Sequence, residues 1–183
     1  MDNKIRCKWC NLKNPKYIEY HDKEWGVLKL DDNYLFEMLI LESFQAGLSW
    51  ECILNKRDNF KDAFDGFDFK KVSNYANSKV LELSKNKKII RNKRKIEATI
   101  NNSKVFINII DKYGSFNNYL KKFTKNEIIY ETGKRTNELS DTISKDLISL
   151  GMKFVGSTII YSYLQAIGII NSHEKSRFLN KTT

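Results

Sequence analysis

The most constraining feature of the sequence is a pair of apolar segments in its last third, joined by a short turn with glycine at both ends. Ile143 and Leu147 recur at helical spacing, and Gly151 then ends the first segment. After the four residues MKFV, Gly156 and Ser157 open a second segment, TIIYSYLQAIGII, which is apolar on most faces. The pattern predicts two packed helices around a hairpin.

The hairpin is compatible with two roles. Glycine at both ends lets the backbone approach a ligand closely, and the start of the second helix offers free N–H groups and a positive dipole end that suit a phosphate. Lys153 adds a cation beside Gly156 and Ser157. Many helical hairpins carry glycine only for the turn, so this pattern alone favours a structural role.

The rest of the chain is also helical in pattern, with Pro15 as its single proline and no internal repeat. We therefore predict an all-α fold in one domain, residues 1–183, with the helix-hairpin-helix unit at 140–170. Capping residues and apolar periodicity predict helices at residues 33–46, 49–64, 78–85, 87–113 and 115–123. Residues 125–139 are polar and aperiodic, and we expect a surface loop there.

Positive charge points weakly to a polyanionic partner. The net charge is +10, although a composition rich in Lys, Asn and Ile also arises from an AT-rich genome. Residues 85–95, KNKKIIRNKRK, hold seven cations and no acid. They form either a solvated helix face or a phosphate-contacting stripe that includes Arg91 and Lys95, and the sequence favours the two equally.

The sequence indicates a cytoplasmic protein without a membrane partner. Its apolar runs are well short of the roughly 18 residues of a membrane span, and its first residues are charged rather than signal-like. Three cysteines, Cys7, Cys10 and Cys52, are too few and too odd in number for a disulfide framework. Thiols or metal ligands in a reducing compartment suit them better.

Two segments carry side chains that suit chemistry. In residues 41–50, LESFQAGLSW, Glu42 interrupts an apolar run and lies on one helical face with Gln45, close enough to Trp50 for one pocket. By itself, Glu42 is best explained as a half-buried acid with a basic or backbone partner. Residues 7–26, CKWCNLKNPKYIEYHDKEWG, concentrate thiols, an imidazole and aromatic rings in a stretch with little helical periodicity.

The chain has only two histidines, His21 and His173, so Cys and His occur near both of its ends. A zinc ion that ties the termini together would need this set of ligands. The alternative, an ordinary buried thiol and two polar-cluster histidines, is modestly favoured by these residues alone.

Taken together, three segments closely resemble the DNA-3-methyladenine glycosylase I family: YHDKEWG at 20–26, LESFQAGLSW at 41–50 and GMKFVGSTIIYSYLQAIGIINSH at 151–173. IIRNKRKIEATINN, at 89–102, is similar to a segment in the middle of that family's domain. The resemblance covers nearly the whole chain and leaves out only residues 125–139 and the last few. Several long motifs in order are more specific than any one of them.

The resemblance implies a helix-hairpin-helix enzyme that flips a damaged adenine out of duplex DNA and releases it as free 3-methyladenine. Glu42 looks like the family's base-recognising and catalytic glutamate, and Trp50 like its stacking indole. Tyr20 would hydrogen-bond the base, with Tyr17 and Trp9 as further walls. Because N3 alkylation leaves the purine cationic, an aromatic face with a carboxylate suits it. The expected partner is double-stranded DNA with alkylated bases, bound by a monomer.

The resemblance also implies hydrolysis without lyase activity. Related glycosylases use an aspartate after the hairpin to assist water, but residues 157–173 contain no acid, as in this family. Bifunctional relatives place a lysine at the start of the second hairpin helix, where this chain has Ser157 and Thr158. We therefore expect a monofunctional enzyme.

Family members commonly hold a structural zinc ion that clamps the two termini. Cys7, His21 and His173 match three of its ligands, whereas Arg177 replaces the fourth, a cysteine, and cannot bind a metal. Either water or Cys10 completes the site, or the site is empty, and we expect zinc with altered ligation.

Two other functions are compatible with parts of the sequence. A non-catalytic, basic helix-hairpin-helix DNA-binding protein explains residues 85–95 and the hairpin but gives Glu42, Trp50 and Tyr20 no role. A metal-dependent scaffold explains only the cysteines and histidines. Release of 3-methyladenine is the principal prediction.

Overall fold

A computed structural model describes residues 4–174 and 179, and these residues are mainly helical, as the sequence predicts. The ten α-helices within them are α1 (Pro15–Lys23), α2 (Asp32–Gln45), α3 (Trp50–Leu54), α4 (Arg57–Ala63), α5 (Phe69–Ser73), α6 (Asn77–Lys85), α7 (Lys93–Tyr113), α8 (Phe116–Thr124), α9 (Glu138–Ser149) and α10 (Ser157–Ala166). A 3₁₀ turn, Asp65–Phe67, precedes α5, and two short strands are β1 (Ile129–Tyr130) and β2 (Ile170–Asn171). No described helix is long and apolar enough to cross a membrane.

Helix α2 lies at the centre of the fold. The Asp31 side chain caps it by accepting a hydrogen bond from the backbone N–H of Tyr34. All residues from 35 to 44 are buried, because α3, α7, α8 and α10 pack around this helix. Its apolar run is therefore continuous rather than amphipathic.

Several predicted helix boundaries are wrong, each for a local reason. The helix predicted over 49–64 is two helices, because Asn55 ends α3 before α4 begins at Arg57. The helix predicted from residue 87 begins at Lys93, because the Asn92 side chain caps it by accepting from the N–H of Lys95. Residues 86–92 are instead irregular, with a turn at 87–88.

Helix α1 was not expected from periodicity. Asn14 caps it and Pro15 occupies its first turn, which are both strong helix-start signals. The residues that it buries are Tyr17, Tyr20 and His21, two aromatic rings and an imidazole, so its buried face carries no aliphatic pattern.

The loop expected at 125–139 is more ordered than predicted, because it contains β1. This strand pairs in parallel with β2, and the N–H of Ile129 donates to the carbonyl oxygen of Ile169 at 2.9 Å. Asn137 then caps α9 in a reciprocal arrangement with Ser140. The segment is thus fixed against the residues that follow α10.

The segment after α1 crosses the end of α10. The N–H of Gly26 donates to the carbonyl of Gln165, and that of Lys29 to the carbonyl of Ile167, both at 3.0 Å. Gly168 lies directly beneath this crossing with φ +81, and a Cβ there would lie 2.6 Å from Leu28 Cα. Only glycine permits this contact between backbones.

We predict that Gly168→Ala destabilises the fold far more than Gly66→Ala. Gly66 also has a positive φ, +70, but no atom lies within 4 Å of a Cβ there. Its substitution therefore measures backbone strain alone, about 1–2 kcal/mol. In the Gly168 variant, the new Cβ also overlaps the backbone of Leu28, which cannot move aside. The total loss of stability should therefore exceed roughly 3 kcal/mol. Urea unfolding of both variants checks this, and equal losses would show that the crossing is loosely packed.

Candidate functional site

A cavity of about 380 Å³ lies where α1, the end of α2, the start of α3, α10 and the segment after β1 meet. The residues that line it are Trp9, Tyr17, Tyr20, Trp25, Glu42, Gln45, Trp50, Thr132, Gly133, Lys134, Ser162, Gln165, Ser172 and Glu174. All five residues predicted to bind a base are among them. The structure therefore brings these five side chains together, whereas their individual roles stay predictions.

Local structure explains how Glu42 and Trp50 reach the same cavity. Gly47, with φ +81, follows the end of α2, and the chain reverses. Ser49 then caps α3 by accepting a hydrogen bond from the N–H of Cys52 at 3.2 Å. Trp50 is the first residue of α3, so the turn returns its indole to the face of α2 that carries Glu42.

Helix α1 is held against α3 by a small amide cluster. The side-chain amides of Asn11 and Asn14 both donate to Oε1 of Glu51, at 2.8 and 2.9 Å. This cluster fixes the start of α1, and the ring of Tyr20 packs against that of Trp50 with centroids 5.1 Å apart.

The Glu42 carboxyl is buried without a polar partner. Its residue is 3% exposed, and Oε2 makes no hydrogen bond to the described residues. Burial alone raises the pKa of Glu42 from 4.5 to about 8. The raised pKa favours the protonated carboxyl near neutral pH, and a cation placed beside it would favour its ionised form.

Aromatic rings form most of the other walls. The Trp9 ring lies 5.4 Å from that of Tyr17 and 4.7 Å from that of Trp25, measured between centroids. The buried Nε1 of Trp50 makes no hydrogen bond to the described residues, so it is available to a ligand. Burial first, and the Glu42 carboxyl second, raise the pKa of Tyr20 well above its ordinary value, so its phenol stays a hydrogen-bond donor.

The sequence-based prediction of the cavity missed several residues. Trp25 lies within the quoted YHDKEWG motif, so that motif was a signal for it. Thr132, Gly133 and Lys134 come from the segment expected to be a surface loop, and Glu174 follows His173. No local pattern marked these four, because only the pairing of β1 with β2 brings them to the cavity.

Lys95 does not lie on the predicted phosphate-binding surface. It is 6% exposed, and its ammonium donates to the carbonyl oxygens of Phe44, at 2.8 Å, and Ala46, at 2.7 Å. Burial lowers its pKa. These carbonyls are at the C-terminal end of α2, where a cation also interacts favourably with the negative end of the helix dipole. The prediction that Lys95 contacts phosphate is therefore wrong, whereas Arg91 is exposed and its role stays a prediction.

Side chains from three helices fix the hairpin between α9 and α10 by binding its carbonyl groups. The bonds run from Asn101 Nδ2 to Gly151 O (2.8 Å), Asn102 Nδ2 to Lys153 O (2.8 Å), Ser43 Oγ to Phe154 O (3.1 Å) and Ser144 Oγ to Val155 O (2.8 Å). Asn102 Oδ1 also accepts from the N–H of Lys153 at 2.8 Å. These four carbonyl oxygens would repel an anion, but each accepts a hydrogen bond from a side chain of the protein.

The backbone N–H groups at the start of α10 are available to a ligand. Among the described residues, none accepts a hydrogen bond from the backbone N–H of Gly156, Ser157 or Thr158, and no side chain caps α10. Lys153 is exposed beside them. This arrangement of amides and one cation suits a phosphate.

The three predicted zinc ligands lie in one cluster. The N–H of Cys7 donates to Nε2 of His21 at 3.2 Å, and the ring centroids of His21 and His173 are 5.2 Å apart. Nδ1 of His21 lies 2.9 Å from Asp22 Oδ1, and Nδ1 of His173 lies 2.9 Å from Asn171 Oδ1. No group of three His, Cys, Asp or Glu side chains in the described part of the chain is arranged to hold a metal.

Cys10 and Arg177 are the two residues considered for the fourth position of the predicted zinc site. The Cys10 thiol lies 3.8 Å from the carbonyl oxygen of Tyr17, and burial raises its pKa to about 11. Cys10 is therefore a thiol rather than a thiolate in this structure. Arg177 lies outside the described residues.

Comparisons with known proteins agree with the resemblance. The family model for methyladenine glycosylase matches residues 9–180. Over 175 residues the chain is 41% identical to DNA-3-methyladenine glycosylase 1 of Escherichia coli K12, and the match covers 92% of each protein. A crystal structure of 3-methyladenine DNA glycosylase I superimposes with a TM-score of 0.91 at 36% identity, over 96% of this chain and 100% of the other. A structure of 3-methyladenine DNA glycosylase I from Staphylococcus aureus, described as showing the basis of 3-methyladenine recognition, superimposes with a TM-score of 0.87 at 32% identity. The match covers 90% of this chain and 91% of the other.

We predict that Glu42→Gln stabilises the protein and does so increasingly from pH 5 to pH 8. The raised pKa means that unfolding ionises Glu42 in this range, which lowers wild-type stability by up to about 1.4 kcal/mol per pH unit. Below the unfolded-state pKa, Glu42 is protonated in both the folded and the unfolded protein, so it does not lower the free energy of unfolding. Above pH 8 the loss of stability caused by Glu42 no longer changes with pH.

Urea unfolding at several pH values checks this prediction. Glu97→Gln on the exposed face of α7 is the control and should change stability little. A Glu42→Gln difference that does not grow with pH would mean that the native carboxyl is already ionised.

Proposed function

This chain belongs to the methyladenine glycosylase family, and we propose that it is a base-excision repair enzyme that hydrolytically releases 3-methyladenine from alkylated DNA. The observation that carries the proposal is one cavity lined by the carboxyl of Glu42, the indole of Trp50 and the phenol of Tyr20. Within residues 4–174 and 179, Oε2 of Glu42 has no hydrogen-bond partner. The relatives from Escherichia coli and Haemophilus influenzae are both named as DNA-3-methyladenine glycosylases.

The chemistry of Glu42 supports selection for a cationic base. Alkylation at N3 gives the purine a positive charge while it is still attached to the sugar. When this ring enters the cavity, Glu42 releases its proton to solvent. The cationic purine takes the place of that proton, so the net charge of the cavity is unchanged. A neutral adenine leaves Glu42 protonated and gains no ion pair.

The aromatic walls add a second source of affinity. Stacking of a base on an aromatic ring contributes roughly 1–3 kcal/mol. A cationic ring gains further from the negative face of an indole or phenol. Trp50 and Tyr20 provide such faces next to Glu42, with Tyr17 and Trp9 as outer walls. Together these terms offset the unpairing and unstacking of the flipped nucleotide.

The reaction itself requires little acid catalysis. The bond between C1′ and the purine nitrogen breaks, its electron pair cancels the positive charge of the ring, and neutral 3-methyladenine leaves. Water adds to C1′ and loses a proton. The ion pair between the purine and the Glu42 carboxylate contributes to binding, whereas stabilisation of the positive charge that develops on the sugar would lower the barrier. Once the base is neutral, Glu42 regains a proton and the ion pair that held the base is lost, which favours release.

We propose that the hairpin is the helix-hairpin-helix DNA-binding element of this enzyme. The N–H groups of Gly156 and Ser157, with Lys153, would bind a backbone phosphate of the duplex, and Arg91 would add a more distant contact. Ser157 and Thr158 stand where a Schiff-base lysine would be needed, so the nucleophile is water and the enzyme is monofunctional. We propose that the enzyme acts as a cytoplasmic monomer.

We expect Glu42→Gln to lower kcat/KM for release of 3-methyladenine from methylated DNA by about 10²–10³-fold, because the amide cannot balance the purine charge. Affinity for undamaged duplex should stay the same, since Glu42 lines the cavity and no residue of the hairpin does. Glu97→Gln is the matched acid-to-amide control and should retain full activity. Wild-type protein that binds DNA but liberates no base would leave only a non-catalytic DNA-binding module.

We also propose that Cys7, His21 and His173 hold a structural zinc ion. The donor set, a thiolate with two imidazoles, suits zinc. Nδ1 of each histidine is oriented by an oxygen, from Asp22 or Asn171, which is the usual support for a metal-binding Nε2. The hydrogen bond from Cys7 to Nε2 of His21 would be replaced by the metal. The zinc would link the segments before α1 and after β2, and no step of hydrolysis uses it.

Elemental analysis of protein purified without added zinc tests the zinc proposal. We expect close to one equivalent in the wild type and a large loss of zinc and thermal stability in Cys7→Ser, since the ligands bind more tightly as a set. Cys52→Ser removes a thiol outside the cluster and should keep its zinc. Wild-type protein that holds only a trace of zinc would refute the proposal.

A further inference from the structure

One wall of the cavity comes from residues 131–134, which belong to the segment expected from the sequence to be a surface loop. The segment follows β1, and the N–H of Glu131 donates to the carbonyl of Asn171 at 3.2 Å. Thr132, Gly133 and Lys134 then line the cavity. The backbone pairing thus holds this wall in a fixed position relative to the residues that follow α10.

Lys134 is the single lysine or arginine among the described residues that line the cavity. Its side chain is 55% exposed, and its ammonium lies 2.6 Å from Oε2 of Glu131. The other oxygen of Glu131 accepts from Asn137 Nδ2, also at 2.6 Å, and the Glu131 side chain is only 13% exposed. The carboxylate is held from both sides, so it keeps the ammonium at one place.

A cation on this wall needs an explanation, because the proposed substrate base is itself cationic. A lone ammonium beside the cavity would repel the alkylated purine. Glu131 cancels much of this repulsion, and the exposure of Lys134 places its charge toward water at the mouth of the cavity. The flipped nucleotide carries an anionic group there, since its sugar and flanking phosphates must remain outside when its base enters.

We propose that Lys134 binds a phosphate next to the flipped nucleotide, which makes it a DNA contact that forms only when a base is extruded. An ammonium has three donors, so Lys134 can bind the phosphate while it keeps its bond to Glu131. This inference rests on the proposed function. It separates Lys134 from the hairpin, whose amides would contact the backbone of undamaged duplex as well.

The test compares Lys134→Gln with Lys125→Gln, which removes the same charge from an exposed lysine of the same 15-residue segment, 125–139, outside the cavity. For methylated DNA at low salt we expect Lys134→Gln to raise KM roughly 5–20-fold with kcat nearly unchanged, and to reduce the salt slope of binding by about 1. The same loss of affinity should appear with a duplex that carries a tetrahydrofuran abasic analogue. Affinities for undamaged duplex and for free 3-methyladenine should not change, and Lys134→Arg should restore KM.

Three results would overturn the phosphate contact. They are an unchanged KM and salt slope in Lys134→Gln, an equal loss in Lys125→Gln or on undamaged duplex, and weaker binding of free 3-methyladenine. The last would mean that Lys134 shapes the cavity itself. A wild-type protein that releases no base would instead overturn the proposed function, so the two failures are distinguishable.

Discussion

The rest of the structure depends on the burial of one carboxyl group, that of Glu42, whose Oε2 has no hydrogen-bond partner in the part of the chain that the structure describes. Glu42 lies within residues 35–44 of α2, all of which are buried, and this burial raises its pKa to about 8. A carboxyl on a half-exposed helix would instead be hydrated and would distinguish a cation from a neutral ring only weakly. The central position of α2 therefore reduces stability at neutral pH but makes the cavity sensitive to charge.

The same helix connects the cavity to the hairpin. Ser43, next to Glu42, donates to the carbonyl of Phe154, and Lys95 closes the end of α2 while its ammonium lies 5.8 Å from the Phe154 ring centroid. Asn102, on the same helix as Lys95, binds both backbone polar groups of Lys153. The proposed base site and the proposed phosphate contact are thus joined through α2 and α7, so a shift of the hairpin would also move the turn that leads to Trp50.

These contacts explain which features were predictable from the sequence. Glu42 and Trp50 are joined by one helix and one capped turn, so local spacing was enough to place them together. The role of Lys95 was not predictable from its cationic neighbours, because its burial depends on the carbonyls of Phe44 and Ala46, about fifty positions away in the chain. Lys134 was missed for a similar reason, since a parallel pairing across some forty residues brings its segment to the cavity. Helix α1 was hidden because aromatic rings and an imidazole, not aliphatic side chains, form its buried face.

The aromatic wall explains how a cluster at the chain ends can influence a cavity that performs chemistry. Trp9 and Trp25 both line the cavity, and both also contact the histidines: the Trp9 ring lies 5.2 Å from that of His21, and the Trp25 ring 4.6 Å from that of His173. A change that separates the two histidines must therefore move at least one wall of the cavity. If a base stacks in this cavity as we propose, fixing these indoles would contribute to its affinity without any contact between the cluster and the base. The Gly168 crossing holds the same two segments together at a second point, so the wall is fixed at both ends.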